Sequence, residues 1–176
     1  MMAKALADKM GATLVIKKLA WEGLEPAVTS GEIDAIIAGM TATPERQENA
    51  DFTTPYYESE MVCIVRADDA LAGATSLADF TGKNVQGQQN TIYDDIIDQI
   101  PGVNHMTPLA SYPLMVLALQ NGEADALTAE LPVATGVVTS NPNLAIVQFE
   151  AGKGFEADTT VSIAVKKGNT ELLNAV

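Results

Sequence analysis

Charged and hydroxyl side chains that follow short apolar runs are the residues best suited to chemistry in this chain. Arg46 lies in the first turn of a predicted helix, where backbone N–H groups have no partner within the helix. A guanidinium beside such donors can hold a carboxylate through two hydrogen bonds. The alternative is a surface arginine paired with Glu45 or Glu48. Spacing alone leaves both interpretations open.

Glu130 ends a predicted strand, and open α/β sheets place their ligand crevice beyond the carboxyl ends of strands. Its carboxylate could accept hydrogen bonds from an ammonium group, or it could be a solvated residue at a strand end. The hydroxyl groups of Thr41 and Thr91 occupy comparable places after strands. They either face a ligand or only cap turns and helices.

Trp21 is the only tryptophan of the chain and lies between a predicted strand and a predicted helix. There it could stack on a ligand, with a cation–π contact to a basic one. Packing in the core or at its rim is the alternative interpretation.

Two similar ten-residue segments occur in the chain, one just before Thr41 and Arg46 and the other ending at Glu130. Residues 30–39 read SGEIDAIIAG and residues 121–130 read NGEADALTAE, each a helix-ending glycine followed by a short buried strand. A helix–turn–strand unit used twice predicts two similar α/β lobes with a cleft that closes on a small ligand.

Hydrophobic periodicity predicts helices alternating with strands, and therefore mainly parallel sheets flanked by helices. Met2, Leu6 and Met10 form a helical stripe that ends at Gly11, and a strand is predicted over Thr13–Leu19. Thr43 is predicted to cap a helix that begins at Pro44.

Two further helices are predicted in the second half. One carries Ile92, Ile96, Ile97 and Ile100, and the other places Leu114, Leu117 and Ala118 toward the core. The predicted domains are a first lobe over residues 1–57, an inserted lobe over 58–158 and a return to the first lobe over 159–176.

Charge and composition exclude several functional classes. With 10 basic and 23 acidic residues the net charge is −13, which argues against a nucleic-acid surface and a polybasic membrane face. The single Cys63 excludes an intramolecular disulfide and is predicted to be a buried, inert thiol. The single His105 argues against a zinc site or a Ser–His–Asp triad. We expect no metal, no cofactor and no catalytic residue.

Residues 39–46, GMTATPER, with DF at 51–52 and PYY at 55–57, resemble the polar amino-acid-binding proteins of ABC importers. These are family 3 solute-binding proteins with the type II periplasmic-binding-protein fold. The likeness continues through WEGL at 21–24, SGEIDA at 30–35, LADFTGK at 77–83 and GEADA at 122–126, and so covers essentially the whole chain.

The resemblance implies a role for each candidate. Arg46 would bind the α-carboxylate of an L-amino acid, with the Thr41 hydroxyl and the backbone N–H of Thr91 or Ile92. The Gly39 carbonyl and the Glu130 carboxylate would receive the α-ammonium group. Trp21 would stack on the ligand side chain, and Gln88 occupies the position of a side-chain selector.

The chain also departs from the family pattern. Glu130 replaces a usual aspartate, and Asn90 replaces a common glycine, which asparagine can do in a left-handed turn. The family begins with a strand that precedes the helix at Met2 and continues past Val176, so the chain is expected to be trimmed at both ends. An unpaired sheet edge in the first lobe would then favour a dimer.

The expected function is delivery of a polar or basic L-amino acid to a membrane permease, from the periplasm or from a lipid anchor outside the cytoplasmic membrane. Arginine is favoured, then glutamine, lysine and histidine. Two alternatives use the same scaffold: an enzyme like the cyclohexadienyl dehydratases, with Glu130 as general acid or base, and a sensory ligand-binding domain.

Overall fold

The computed structural model describes residues 2–176, and contacts divide the chain into two compact units. Unit 1 consists of the residues up to Glu58 together with Thr160–Val176, and unit 2 is Ser59–Thr159. That the two units act as lobes that close on a ligand stays a prediction. Among the described residues, no helix combines the length and apolar character needed to cross a membrane.

Unit 1 contains short helices around a sheet. Its helices are α1 (Met2–Met10), α2 (Leu24–Ser30), α3 (Pro44–Asn49) and α7 (Thr170–Ala175), with a 3₁₀ turn at Trp21–Gly23. Its strands are β1 (Ala35–Met40), β2 (Ala50–Phe52), β3 (Tyr57–Glu58) and β9 (Thr160–Lys166).

The sheet of unit 1 is organised around β9. This strand runs antiparallel to β1, to β2 and to β3, and it lies between β1 and β2. A small core packs where α2 covers this sheet, formed by Val28, Ile36, Met40, Ala50 and Ala164. Trp21 and Leu24 are partly buried against that core.

The segment before α2 corrects the sequence prediction. Residues 13–19 form neither strand nor helix, and Val15 and Ile16 are 75% and 67% exposed. A strand requires a partner for its backbone groups, and no described residue pairs with this segment. Helix α1 is confirmed and ends at Gly11 with φ +66°, yet none of its described residues is buried.

Unit 2 has the larger sheet. Its strands are β4 (Met61–Arg66), β5 (Asn84–Gln86), β6 (Asn104–His105), β7 (Ala126–Glu130) and β8 (Leu144–Val147). Its helices are α4 (Ile92–Asp95), α5 (Tyr112–Gln120) and α6 (Leu131–Ser140), with 3₁₀ turns at Ala70–Gly73, Leu77–Phe80 and Ile97–Gln99.

The five strands of unit 2 lie in the order β6-β5-β7-β4-β8. β5 runs parallel to β6 and β7, whereas β4 runs antiparallel to β7 and β8. The unit 2 sheet is therefore mixed, whereas the described strand pairs of unit 1 are antiparallel, and the prediction of mainly parallel sheets is corrected. Local β-α-β alternation predicts parallel neighbours, but β9 and β4 join their sheets from distant parts of the sequence.

Two helical predictions of unit 2 are also corrected. The isoleucine-rich segment is not one helix but the four-residue α4 followed by the Ile97–Gln99 turn. α4 itself buries Tyr93, and the buried isoleucines are Ile96, Ile97 and Ile100. Helix α5 buries Met115, Val116, Ala118 and Leu119, while Leu114 and Leu117 are exposed. Because α5 is apolar on all sides, its pattern could not select the buried face.

Cys63 lies on β4, between β7 and β8 of the unit 2 sheet. It is fully buried on β4, and burial raises the pKa of its thiol far above the ordinary value. The prediction of a buried thiol is confirmed, and the raised pKa supports the prediction that this thiol is inert.

Candidate ligand-binding residues

The end of β1 carries the first predicted group. Gly39 has φ +69°, and the register of β1 against β9 shifts between Ile36 and Met40. Such left-handed backbone inside a strand favours glycine and turns the chain locally. Thr41 follows this irregularity and is 2% exposed.

Helix α3 begins as the sequence predicted. Thr43 is the N-cap, its Oγ1 accepts a hydrogen bond from the Arg46 N–H at 3.3 Å, and Pro44 opens the helix. This cap fixes Arg46 in the first turn, one short loop away from the end of β1.

Arg46 is held by two neighbours of unit 1. One guanidinium nitrogen donates to the Thr41 carbonyl at 3.1 Å, and Cζ lies 5.5 Å from the centroid of the Trp21 ring. The structure thus brings Arg46, Thr41 and Trp21 together. Both contacts limit the rotamers of the guanidinium, which reduces the entropy lost when it binds an anion.

In unit 2 the predicted groups cluster between β5 and α4. Thr91 is 3% exposed, donates to the Gln88 carbonyl at 2.8 Å and accepts from the Tyr93 N–H at 3.2 Å. Asn90 has φ +60°, so the expected left-handed turn is present. The Gln88 amide donates to the Ala110 carbonyl at 3.1 Å, and Ile92 opens α4.

Glu130 is the last residue of β7 and lies opposite Met61 of β4. It is only 5% exposed, which excludes the interpretation as a solvated residue at a strand end. Burial raises the pKa of its carboxyl to about 7. A carboxylate in this environment gains from a cationic partner, because such a partner offsets its desolvation.

Sequence reasoning missed the polar residues that connect β7 to α4. Thr128 donates to the Tyr93 carbonyl at 2.6 Å, and the Tyr112 hydroxyl donates to the Thr128 carbonyl at 2.7 Å. Burial raises the pKa of Tyr112, and the charge of Glu130 adds to that effect. A threonine within the otherwise apolar strand run ALTA was the available signal.

The eight predicted binding residues thus form two sets, one in each unit. Unit 1 contains Trp21, Gly39, Thr41 and Arg46, and unit 2 contains Gln88, Thr91, Ile92 and Glu130. Over residues 2–176, no group of three or more His, Cys, Asp or Glu side chains is arranged to hold a metal ion. Unit 1 carries the cation of Arg46, and unit 2 carries the buried carboxylate of Glu130.

Comparison with known proteins gives consistent matches. The profile of the bacterial extracellular solute-binding proteins, family 3, matches residues 1–176. A putative ABC transporter arginine-binding protein 2 from Escherichia coli strain K12 is 33% identical over 172 residues. That alignment covers 97% of this chain and 69% of the relative.

Solved structures agree with these sequence matches. An amino acid ABC transporter substrate-binding protein from Streptococcus pneumoniae, bound to L-arginine, superposes with a TM-score of 0.86 at 32% identity, covering 99% of this chain and 72% of that one. An ancestral arginine-binding protein bound to glutamine superposes with a TM-score of 0.85 at 32% identity, covering 99% and 75%.

Proposed function

Since the chain belongs to family 3 of the bacterial extracellular solute-binding proteins, we propose that it is the binding component of an amino-acid ABC importer. The type II periplasmic-binding-protein fold predicted from the sequence is confirmed by the structural matches. The ligand is an L-α-amino acid, with arginine first and then glutamine, lysine and histidine.

The observation that carries this proposal is the arrangement of Arg46. Its guanidinium is oriented by the Thr41 carbonyl and the Trp21 ring, and it lies in the first turn of α3. In the proposal Arg46 pairs with the ligand carboxylate, assisted by the Thr41 hydroxyl and by the backbone N–H of Thr91 or Ile92.

The other partners of the ligand follow from the same proposal. Glu130 and the Gly39 carbonyl receive the α-ammonium group, which neutralises a buried carboxylate. Trp21 and Gln88 contact the ligand side chain. A basic ligand suits the net charge of −13 and the aromatic ring, and it agrees with the arginine-binding relative.

In this proposal ligand binding converts the protein from an open to a closed form. The closed form delivers the ligand to a membrane permease. The protein works outside the cytoplasmic membrane, in the periplasm or on a lipid anchor.

A thermal-shift screen against the twenty L-amino acids tests the proposal. A ligand at 100 times its Kd should add about 2.7 kcal/mol to the free energy of unfolding. Calorimetry should then show at least about a 100-fold loss of affinity in Arg46→Ala, because the ligand carboxylate loses its charged partner.

Lys18→Ala is the matched control, since it removes an exposed positive charge from the same unit. It should bind as the wild type does. Unchanged affinity in Arg46→Ala would refute the assigned role of Arg46, and no shift with any amino acid would refute the ligand class.

The environment of Glu130 also supports a second candidate, a dehydratase-like enzyme on the same scaffold. A buried carboxyl whose pKa is raised to about 7 is suited to general acid–base chemistry. Conversion of prephenate or arogenate by the purified protein, lost in Glu130→Gln, would establish this activity. Stable binding without turnover would eliminate it.

The unpaired edge of unit 1 supports one further proposal, dimerisation through this edge. Among the described residues β1 pairs with β9 alone, and the segment 13–19, which follows α1 in the sequence, exposes Val15 and Ile16. Light scattering at increasing concentration should show a dimer that Val15→Lys weakens. A monomer at all concentrations would rule it out.

A further inference from the structure

His105 lies between two carboxylates at the edge of the unit 2 sheet. It belongs to β6, where the Asn104 N–H donates to the Lys83 carbonyl and the Met106 N–H donates to the Val85 carbonyl of β5. Its Nε2 lies 2.9 Å from an Asp94 oxygen, and its Nδ1 lies 2.9 Å from an Asp98 oxygen. The imidazole is 27% exposed, so water only partly screens these contacts.

The two contacts match the charged form of the imidazole. A neutral imidazole has one N–H and can donate to one carboxylate, whereas an imidazolium donates to both. Burial opposes the charge, but the hydrogen bonds and charges of Asp94 and Asp98 outweigh it and raise the pKa of His105 above its ordinary value.

The other charged side chains of α4 and next to β5 are not among the groups that shift the pKa of His105. Asp95, the next residue on α4, is exposed, and it does not contribute to the pKa of His105. Lys83, which precedes β5, acts on Asp69 instead. Asp94 and Asp98 are therefore the carboxylates through which the charge of His105 acts.

Asp94 connects this cluster to the candidate ligand-binding residues. It belongs to α4, and the N-cap Thr91 and first residue Ile92 of this helix are the proposed donors to the ligand carboxylate. A helix of four residues cannot sustain itself, so tertiary contacts decide its position. The Asp94–His105 pair is one such contact, and the Thr128–Tyr93 hydrogen bond is another.

We propose that His105 is a positioning residue for ligand binding. In its protonated form it holds Asp94 and Asp98, and it thereby fixes Thr91 and Ile92 in the arrangement that receives the ligand carboxylate. Ligand affinity then contains a component that decreases as the imidazole loses its proton. This inference rests on the proposed function.

The direction of the pH effect follows from the raised pKa. The stabilisation by His105 is fully present below its ordinary value of 6.5 and is lost as pH rises through the raised value. Glu130 acts in the opposite direction, because rising pH produces the carboxylate that receives the ammonium group. The two contributions can therefore be separated by substitution.

Calorimetry with L-arginine from pH 5.5 to pH 8.5 tests the proposal on three proteins. The wild type should lose affinity on the alkaline side, by about fivefold or more relative to His105→Gln. His105→Gln should keep only the acid-side loss caused by Glu130. Asp95→Asn, which removes an exposed carboxylate from the same helix, should retain the wild-type profile.

A second measurement uses the wild type alone, so it does not depend on the folding of a variant. The chain contains one histidine, so its imidazole resonances can be followed by NMR without ambiguity. Because coupling is reciprocal, saturating L-arginine should raise the pKa of His105 by the logarithm of the same affinity factor.

The possible failures are distinguishable. Binding with the same pH profile in His105→Gln, or an unchanged His105 pKa in the arginine complex, would overturn this inference and leave the proposed function intact. Absence of binding at every pH, for every L-amino acid, would overturn the proposed function itself.

Discussion

The two copies of the helix–turn–strand repeat end their helices in the same way. Gly31 and Gly122 have φ +83° and +78°. In the first copy the N–H groups of residues 32 and 33 both bond to the Ala27 carbonyl, and in the second those of residues 123 and 124 both bond to the Ala118 carbonyl. Local sequence therefore produces the same turn twice.

The strands that follow differ. β7 lies in the middle of a five-stranded sheet and all its residues are buried, whereas β1 lies at a sheet edge, has an irregular register and is only partly buried. Similar ten-residue segments therefore form similar turns. How deeply each copy is buried depends on the strands that pair with it.

This difference determines the environment of the charged groups. After β1 the chain reaches half-buried Arg46 through a loop and a capped helical turn, which leaves the cation partly hydrated. After β7 the carboxylate belongs to the strand itself and is 5% exposed. The desolvation of the Glu130 carboxylate therefore costs unit 2 free energy, whereas the partly hydrated guanidinium of Arg46 costs unit 1 much less.

The largest expected effect in this comparison comes from Glu130→Gln. The raised pKa means that the carboxylate destabilises the ligand-free fold increasingly as pH rises from about 4.5 through about 7. The variant should gain roughly 2–3 kcal/mol in free energy of unfolding at pH 8 and little at pH 4.5. It should also bind L-arginine about 30-fold more weakly or worse.

Denaturant unfolding at the two pH values, with calorimetry, measures both effects. Thr43→Ala is the counterpart in unit 1, since it removes a helix cap and should cost about 1 kcal/mol at either pH. If Glu130→Gln destabilised the protein at pH 8, the stated cost of burying this carboxylate would be wrong.

A smaller effect is expected from Gly87→Ala, which tests how tightly unit 2 packs beside its candidate residues. A Cβ at Gly87 would lie 2.5 Å from the Asp94 Cα and 2.7 Å from its nitrogen, so α4 would have to move. We expect a loss of about 1–3 kcal/mol in free energy of unfolding, with weaker binding because Thr91 and Ile92 move with α4.

Gly136→Ala is the matched control for this substitution. Gly136 lies within α6, and nothing lies within 4 Å of its added Cβ. The same chemical change should there stabilise the protein by about 0.5–1 kcal/mol. Equal effects at the two glycines, measured by denaturant unfolding, would contradict the packing argument.

Sequence reasoning succeeded where the signal was local. The cap at Thr43, the ends of α1 and α2 at glycines and the left-handed turn at Asn90 depend on a few consecutive residues. It failed for residues 13–19, whose apolar pattern suits a strand but finds no partner among the described residues. It also failed for α5, because a helix that is apolar on all sides gives no pattern from which the buried face could be predicted.

The candidate binding residues divide in the same way. The sequence was sufficient to predict the types of the candidate binding residues, their positions after strands and the likeness to the family. The hydrogen bonds from Thr128 to Tyr93 and from Tyr112 to Thr128 were not, because they join residues 35 and 16 positions apart.

Residue types at short or fixed spacing were sufficient to predict the helix caps, the glycine turns, the charged groups and the family. The amino-acid pattern did not show that β9 runs antiparallel between β1 and β2, that Glu130 is buried or that His105 lies between Asp94 and Asp98. Strand pairing, burial and the resulting pKa values depend on residues that are distant in the sequence and become neighbours when the chain folds.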